Sequence, residues 1–435
     1  MRTPALRRAA SSARAVVDAL LAPPVNHPRT LDMPIARRAL QRHAFQRSAV
    51  AAAFPTPPRV ISVVGTKGKG SVSELLRSAL GHKVGCFTSP HLHGCRERIR
   101  VGEAPISVEE LRIHGAAALK RGRELKVDAW GCVFFDRLLA TALLHFGASQ
   151  CDRLILEAGV GGIHDSTNFF SGAELELAVV TSISLDHTAL LGETLGEIAL
   201  NKAGVLRPNT PALTPSTQPP EVLAALSKEA DRVGADLVVV DCGGSSNEPS
   251  TQRENRLLAA AACDLLGVEA EFSRARWPAR FEEIHVRGRT ILVDAAHNGD
   301  SVAKFMEAAY TQFPGTKWTI VFGCGAEKEG LDAMVSAVRE FAGAVICVEA
   351  GSSFASRPLP PSKRGEPASK LAARIGPRAT AAASVAKALA QSEGHVLVCG
   401  SVYVAGEARE WCVAADPESL PADDWARTLR DDDLF

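Results

Sequence analysis

A glycine-rich turn near the start of the chain carries the residue types best suited to chemistry. Residues 60–64 are apolar except for Ser62 and predict a strand, and they run directly into the turn at 65–71, which reads Gly-Thr-Lys-Gly-Lys-Gly-Ser. Apolar residues at helical spacing follow the turn. Glycines let several backbone N–H groups face one anion, and the N-terminus of the next helix adds its positive dipole end. The turn therefore predicts a nucleotide-phosphate site in which Lys69 reaches the terminal phosphates.

The spacing of this turn differs from a strict P-loop in one place. Gly70 stands where a hydroxyl would directly follow the lysine, and Ser71 comes one residue later. A serine in this part of a phosphate loop offers its hydroxyl to Mg²⁺, so Ser71 remains a candidate metal ligand. The alternative interpretation is a tight strand-to-helix turn built from small residues.

A glutamate at the end of a second apolar segment is the next candidate. Residues 153–157 predict a short buried strand that ends at Glu157 and is followed by a glycine-rich stretch. A strand-end carboxylate beside a phosphate loop can hold or orient Mg²⁺. A capping or salt-bridge role is the alternative for Glu157. Asp165 and Asn168 follow in the same stretch, and their local spacing favours turn formation over a ligand role.

Polar residues also follow the predicted strand at 177–182. Asp186, His187 and Thr188 lie side by side there, and a neutral imidazole can ligate a metal or transfer a proton. One helix later, Asn201-Lys202-Ala-Gly204 is superficially like the guanine-reading N-K-x-D motif. Gly204 replaces the aspartate that would hold guanine, which favours an adenine nucleotide. Taken locally, Lys202 is an ordinary solvated helical lysine.

The segment from Cys86 to Cys95 holds two cysteines and two histidines within ten residues. Its spacing is uncommon for structural zinc, and no second ligand pair stands nearby, so the pattern argues against zinc. Arg96, Arg98 and Arg100 follow at alternating positions. This spacing predicts that the three arginines lie on one face of an extended segment. There they would either contact an anionic substrate or be exposed to solvent.

Composition narrows the class of protein. The 435 residues predict two domains. Equal numbers of acidic and basic residues, 49 each, argue against nucleic acid or an anionic membrane as partner. Ten cysteines without a C-x-x-C pair predict reduced thiols in an intracellular compartment. No acid precedes Asp18 in the basic N-terminal stretch, which fits a mitochondrial or plastid transit peptide or a first amphipathic helix of a cytoplasmic protein.

Strand and helix patterns alternate along most of the chain, which predicts an α/β fold with a mostly parallel sheet. The pattern breaks near Trp277 and a fresh series begins, with strands predicted at 290–294, 318–322, 344–348 and 395–399. We therefore expect one domain over 1–277 and a smaller one over 278–435. The acidic end after Asp416 predicts a weakly held tail.

Taken in order, these segments resemble the folylpolyglutamate synthase/dihydrofolate synthase family of the Mur ligase superfamily. The resemblance extends from about Val60 to Arg409, although Ile163 and Ala295 depart from the residues usual in the family. It implies a P-loop ATP-binding domain followed by a Rossmann-like ligase domain. The motifs that carry it are 65–71, 87–92, 96–99, 135–136, 157–168, 185–188, 202–204, 251–255, 277–281, 294–298 and 400–407.

The resemblance also implies roles for individual residues. Ser89, Glu157 and His187 would hold Mg²⁺, while Lys69, Lys202 and His187 would be catalytic, with Lys202 as the carbamylated lysine of the superfamily. The loop that includes Thr88, Pro90 and His91 would lie near the substrate. The implied ATP contacts are Gly65, Thr66, Lys67, Gly68, Lys69, Gly70, Ser71, Asn255, Arg280, Asp294 and His297.

The implied activity is ATP-dependent formation of an amide between L-glutamate and a folate-type carboxylate, through an acyl phosphate. The cofactors would be ATP and Mg²⁺, with K⁺ as a further candidate ion, and the other partners would be folate or dihydropteroate and L-glutamate. Nucleic acid and membrane are not expected as partners, and we expect a monomer. Two alternatives stay open: a Mur ligase acting on another acid, and a nucleotide-binding module without catalysis.

Overall fold

The computed structural model describes residues 15–16, 18–20, 35–127, 133–244, 249–325, 330–341, 343–351 and 364–429. Its strands form two sheets, and apolar side chains pack on both faces of each. The first sheet has eight strands in the order β4-β3-β2-β5-β1-β6-β7-β8. Its strands are β1 (Arg59–Val64), β2 (Val84–Phe87), β3 (Ile99–Val101), β4 (Ala104–Pro105), β5 (Arg153–Glu157), β6 (Leu175–Val180), β7 (Pro211–Pro215) and β8 (Asp236–Val240).

The second sheet has six strands in the order β13-β12-β11-β14-β10-β9. Only β9 runs antiparallel to its neighbour, since the β10–β14, β11–β14, β11–β12 and β12–β13 pairs are all parallel. The strands are β9 (Glu282–Val286), β10 (Arg289–Val293), β11 (Trp318–Phe322), β12 (Val345–Cys347), β13 (Ala379–Ala381) and β14 (His395–Cys399).

Helices cover the faces of both sheets, as a parallel sheet requires. Those of the first part are α1 (Ile35–Ala53), α2 (Lys69–Leu80), α3 (Val108–Glu124), α4 (Phe134–Ala148), α5 (Thr188–Leu191), α6 (Leu195–Ala203), α7 (Pro220–Val233) and α8 (Ser250–Leu266). Those of the second are α9 (Gly299–Gln312), α10 (Leu331–Glu340), α11 (Ala368–Ile375), α12 (Val385–Gln391), α13 (Val402–Ala415) and α14 (Trp425–Thr428).

The predicted α/β fold class is confirmed, because both sheets are mostly parallel and helices pack on their faces. The strands predicted at 153–157, 318–322 and 395–399 have the observed bounds, and the other predicted strands differ from the observed ones by one or two residues at their ends. The sequence prediction missed the antiparallel pairs of β2 with β3 and β3 with β4. These strands are short, so a period of two is hard to recognise in them.

The arginines at 96, 98 and 100 do not share one extended face, which corrects the sequence interpretation. Residues Cys95–Arg98 form a 3₁₀ turn, and only then does β3 begin. Arg100 is buried and donates a hydrogen bond to Glu74, with Nη1 2.6 Å from Oε2. Arg98 donates to His91 Nδ1 at 2.9 Å. The three arginines alternate in the sequence, but in the structure their side chains do not lie on one common face.

The C-terminal segment is not a weakly held tail over residues 416–429, so that prediction is wrong. Leu420, Ala426 and Leu429 are buried there. The ring of Trp425 lies edge-on to Trp277 with centroids 6.2 Å apart. The acidic composition was misleading because a few apolar side chains are enough to anchor the segment.

The N-terminal prediction is tested only in part, because residues 1–14 lie outside the described ranges. Residues 18–20 are helical, and Leu20 is fully buried against the first domain. Arg137 on α4 donates to the carbonyl oxygens of Ala19 and Leu20 at 3.3 and 3.2 Å. The stretch around Leu20 is thus part of the folded domain. Within the described ranges, no helix has the length and apolar character needed to span a bilayer.

Replacing Leu20 by alanine tests this packing. Deleting a fully buried leucine side chain leaves a cavity, so Leu20→Ala should lower the free energy of unfolding by about 3 kcal/mol. Leu40→Ala on α1 is the matched control, since Leu40 is 68% exposed. Denaturant titration measures both variants, and equal midpoints would show that residues 18–20 are not anchored.

Candidate active site

A cleft between the two sheets brings most of the sequence-predicted residues together. The whole turn at 65–71 lines it on one side. From the first domain Ser89, Pro90, Glu157, His187 and Lys202 also reach it. The contributions of α8 and the second domain are Asn255, Arg280, Asp294, His297, Ser301 and Lys304.

The phosphate turn needs glycine at two of its positions. Gly65 and Gly68 have φ angles of +144° and +87°. A Cβ on Gly65 would lie 1.9 Å from Thr181 Oγ1, and one on Gly68 would lie 2.1 Å from Asn255 Oδ1. The backbone N–H groups of Thr66 and Lys67 donate to the carbonyl oxygen of Ser182 at 2.8 and 3.1 Å. The turn is therefore held on the segment that follows β6, and close packing leaves no room for a side chain at positions 65 and 68.

Two lysines converge on one carbonyl oxygen of this turn. Lys69 Nζ donates to Gly65 O at 3.1 Å, and Lys202 Nζ donates to the same oxygen at 2.8 Å. Lys202 is only 3% exposed. Burial first, and then the nearby charge of Lys69, lower the pKa of Lys202 from 10.5 to about 7. The local interpretation of Lys202 as a solvated lysine is therefore wrong, because α6 packs it under the turn.

The carboxylate of Glu157 faces the same cleft from the end of β5. Its Oε2 accepts a hydrogen bond from the backbone N–H of Ser89 at 2.8 Å. Burial raises the pKa of Glu157, while Lys69 and the Ser89 N–H favour its charged form. His187 lines the cleft as well, with its side chain 52% exposed and its φ at +52°. These two predicted metal ligands thus line one cavity with Ser89.

The predicted contacts of the far wall are held by the backbone around β10. Asp294 accepts hydrogen bonds from the N–H groups of Phe281 and Ala296, each at 2.7 Å. Burial raises the pKa of Asp294, with Arg280 acting in the opposite direction. Across the cleft, Lys67 of the turn forms an ion pair with Asp300 in the first turn of α9.

Only part of the predicted substrate loop at 88–91 lines the cleft, and the rest of it lies behind the cleft wall. Ser89 and Pro90 line the cleft. Thr88 is buried behind it, where its N–H donates to the carbonyl oxygen of Arg98 at 3.0 Å. His91 accepts from Arg98, and its pKa is lowered well below the usual value, chiefly by burial and then by that guanidinium. Thr88 and His91 therefore contribute to the shape of the loop.

A second cavity adjoins the cleft and was not found from the sequence. Ser89, Pro90, Gly159, Val160 and Leu191 line both spaces. The rest of its lining combines cations, an aromatic ring and acids: Ile35, Arg38, Arg42, Arg98, Val133, Phe135, Asp136, His164, Asp165, Ser166, Leu190 and Asn201. Arg38 and Arg42 on α1 belong to no recognisable sequence motif. The basic character of this helix is the only sequence signal that could have indicated an anion-binding role for them.

The side chains of Asp165 and Asn168 hold the backbone of their own segment and its neighbour. Asp165 accepts hydrogen bonds from the N–H groups of Val160 and Thr167, both at 2.9 Å, which confirms the turn interpretation. Asn168 Nδ2 donates to the carbonyl oxygen of Gly204 at 3.0 Å. In the described ranges no three His, Cys, Asp or Glu side chains cluster closely enough to hold a metal by themselves.

Comparison with known proteins gives the class first. A family model described as "Mur ligase, glutamate ligase domain" matches residues 279–402. A Bacillus subtilis relative, dihydrofolate synthase/folylpolyglutamate synthase, is 32% identical over 313 residues, or 62% of this chain and 72% of that protein. The phosphate turn, the strand-end carboxylate and this match together define a Mur-type acid–amino-acid ligase.

Two further comparisons extend over most of the chain. The E. coli FolC structure in complex with DHPP and ADP has a TM-score of 0.74 and 25% identity, covering 93% of this chain and 98% of that one. A Haloferax volcanii protein, a probable bifunctional folylpolyglutamate synthase/dihydropteroate synthase, is 32% identical over 85% of this chain. The chain spans about half of that relative's length, 48%. This chain belongs to the folylpolyglutamate synthase/dihydrofolate synthase family.

The lowered pKa of Lys202 predicts a dependence of stability on pH. Between pH 7 and about pH 10 the unfolded chain binds a proton at this amine that the native protein does not bind. The free energy of unfolding should therefore rise with pH in this window, by up to about 1.4 kcal/mol per pH unit from this group. Lys202→Met should reduce that slope, whereas the exposed Lys120→Met should not.

Denaturant titrations at pH 7, 8 and 9, in buffer freed of carbon dioxide so that the amine stays unmodified, measure these slopes. Lys67, whose pKa is also lowered to about 7, remains in both proteins and adds the same contribution to each. An identical slope in Lys202→Met and the native protein would show that Lys202 is protonated in the folded state.

Proposed function

We propose that this protein joins L-glutamate to a folate-type carboxylate in a reaction driven by ATP. One observation carries the proposal: the phosphate-turn cleft and the second, cation-lined cavity meet at Ser89 and Pro90. A triphosphate held at the turn would direct its outer phosphate toward this junction. An acid held in the second cavity would present its carboxylate there. The bound ligands of the FolC structure, DHPP and ADP, support both assignments.

The nucleotide would lie between the domains. Residues 65–71 would bind its phosphates, and Asn255, Arg280, Asp294 and His297 would contact it from α8, the linker and the second sheet. The domain over 1–277 would bind ATP, and the domain over 278–435 would be the ligase domain, as the boundary predicted from the sequence implies. The ion pair of Lys67 with Asp300 shows that the two walls are close enough for side chains to meet.

The residues at the cleft fit a magnesium site. Glu157, Ser89 and His187 line it, with Ser71 and Asp186 beside them. Mg²⁺ is bound by one or two carboxylates together with substrate phosphates and water, so a cage of three protein ligands is not required. Glu157, Ser89 and His187 would hold the ion, which neutralises phosphate charge when bound. K⁺ stays a further candidate without a residue assigned to it.

The chemistry would proceed in two steps. A carboxylate oxygen of the acceptor attacks the γ-phosphorus, the bond to the bridging oxygen breaks, and ADP leaves. The amine of L-glutamate then attacks the acyl carbon, phosphate leaves, and the amine loses a proton to give the amide. Lys69 would stabilise the transferred phosphoryl group electrostatically. The closed cleft would exclude water that otherwise hydrolyses the acyl phosphate.

Lys202 is the residue that we propose as the carbamylated lysine. A neutral amine attacks carbon dioxide and loses a proton, which gives an anionic carbamate. The pKa of about 7 supplies the neutral amine at physiological pH. The position of Nζ beside the phosphate turn, 2.8 Å from Gly65 O, supports this assignment, since an anion there would balance the charges of Lys69 and a nearby metal ion.

The second cavity would hold the acceptor acid. Phe135 offers an aromatic face, and its ring lies 5.3 Å from Phe87 in an edge-on arrangement that fixes its orientation. Arg38, Arg42 and Arg98 supply positive charge for an anionic ligand. This combination suits a molecule with a flat heterocycle and carboxylates, which is the chemistry of a folate or a pteroate.

Incubation of the protein with ATP, Mg²⁺, L-glutamate and one acceptor at a time tests the proposal. Phosphate release that requires dihydropteroate indicates the first glutamate addition, and release that requires tetrahydrofolate indicates later ones. Release with a different acid would instead favour a Mur ligase of another specificity. Nucleotide binding without release in any mixture would favour a non-catalytic module and contradict the proposal. Sedimentation of the same sample tests the expected monomer.

Replacing Lys69 tests the phosphate contact. Lys69→Ala should abolish measurable turnover while the fold persists, since the loss of one such contact raises the barrier by about 3 kcal/mol or more. Phosphate release under saturating substrates measures the effect, and circular dichroism checks the fold. Lys120→Ala, which removes a lysine 74% exposed on α3, should leave the rate unchanged. Near-native turnover of Lys69→Ala would refute the assignment.

Replacing Phe135 tests the acceptor cavity. Phe135→Ala should raise KM for the acceptor about tenfold, because an aromatic contact of this kind contributes roughly 1–2 kcal/mol. KM for ATP should not change, since Phe135 lines only the second cavity among the two spaces. Phe341→Ala, which removes a ring stacked on Tyr310 in the second domain, is the control. Equal effects on both KM values would contradict a separate acceptor cavity.

A further inference from the structure

The loop that carries Ser89 continues into a junction with the second domain. Three residues beyond Ser89, Leu92 is 7% exposed and belongs to the apolar cluster of the second sheet, which includes Val293 and Val404. His93 is buried and contacts Arg409 and Glu410, both on α13. A loop of the first domain is thus anchored inside the second.

Arg409 is the centre of this junction. Its side chain is fully buried and donates through Nε to Glu282 Oε2 at 2.8 Å. Its Nη2 donates to Asp424 Oδ2 at 2.7 Å, which attaches the C-terminal segment. Its Nη1 lies 2.7 Å from Nε2 of His93. One guanidinium therefore joins β9, the start of α14 and the loop of the first domain.

The contacts of His93 determine its protonation. A guanidinium can only donate, so Nε2 of His93 accepts from Arg409 and carries no proton. The ring is then neutral with its proton on Nδ1, which donates to Glu410 Oε1 at 3.1 Å. Both ring nitrogens are used, one as acceptor and one as donor. A side chain that lacks either function cannot bridge Arg409 and Glu410.

A buried carboxylate holds the part of the loop that lies at the junction. The carboxylate of Glu97, which is 4% exposed, accepts hydrogen bonds from the N–H groups of Leu92, His93 and Gly94 at 2.8, 2.6 and 2.9 Å. Residues 92–94 therefore move as one piece. Ser89 is tied at the other end, through its N–H, to Glu157. Two residues, Pro90 and His91, separate these attachments, so we expect a displacement at His93 to reach the Ser89 contact.

We propose that His93 and Arg409 are positioning residues that make the placement of Ser89 against Glu157 depend on the arrangement of the two domains. The junction contacts neither cavity, so it acts through the loop. When the cleft closes, the junction brings Ser89 against Glu157 and so completes the proposed metal site. While the domains are apart this contact would be loose, which would keep ATP from reacting. The kinetic part of this inference rests on the proposed function, whereas the structural part does not.

Three variants test the junction. His93→Leu keeps an apolar side chain of similar size but removes both hydrogen-bonding functions. His93→Gln keeps an oxygen to accept from Arg409 and an N–H to donate to Glu410, so it should rescue. His395→Leu is the matched control, because His395 also lies in a partly buried contact, accepting from the Thr290 N–H at 3.0 Å at the opposite end of the second sheet.

The first readout is hydrogen exchange of the Ser89 amide, which needs no activity. In His93→Leu this amide should exchange at least about tenfold faster, since its contact with Glu157 loosens. It should stay at the native rate in His93→Gln and in His395→Leu. A native rate in a folded His93→Leu overturns the proposal, as does equal acceleration in His395→Leu.

The second readout is kinetic. His93→Leu should lower kcat about tenfold and raise the Mg²⁺ concentration for half-maximal rate, because the reacting groups are misplaced. Binding of ADP without Mg²⁺ should be unchanged, and His93→Gln should recover most of kcat. Unchanged kcat and Mg²⁺ dependence in His93→Leu would overturn the proposal. If the native protein shows no ligase activity, the proposed function fails while the exchange experiment still decides the junction.

Discussion

The parallel pairing of β1 with β5 and β6 is the constraint on which the site depends. Val63 pairs with Glu157 and Val64 with Val180, so all three strands end at one edge of the sheet. Parallel strands present their carboxyl ends together, and ligands collect there. The phosphate turn, the strand-end carboxylate and the segment with His187 follow these ends. A shift in this register would separate the phosphate-binding residues from the carboxylate.

Burial then gives the residues at this edge their chemical character. The same loss of solvent that lowers the pKa of Lys202 raises those of Glu157 and Asp294. Each of these shifts disfavours a charge that water no longer stabilises. Burial thus weakens the charged forms of these three groups, while Lys69 and Arg280 partly restore those of the two carboxylates. A site of this kind suits phosphoryl transfer, in which positioning and charge stabilisation carry most of the catalysis.

The second sheet does more than supply the other wall of the cleft. Through Leu92 and Arg409 it also holds the loop that ends at Ser89. The C-terminal segment joins the same junction through Asp424. The second sheet and the Ser89–Glu157 contact are thus attached to the same loop by ordinary packing and hydrogen bonds. The second cavity opens onto the same loop, so under the proposed function both substrates would meet there.

The sequence by itself determined the α/β class, the glycine-rich turn after β1 and the strand-end position of Glu157, whereas His187 lies seven residues beyond β6, at the start of α5. These follow from local patterns, because strand periodicity and glycine spacing are properties of neighbouring residues. Tertiary structure alone decided the burial of Lys202 and of the Arg100–Glu74 pair, the arginines of the second cavity and the anchoring of residues 416–429. Each of these depends on what other segments pack against it: Arg100 and Glu74 are 26 residues apart and Lys202 is 137 residues from Gly65, so neither contact leaves a local pattern.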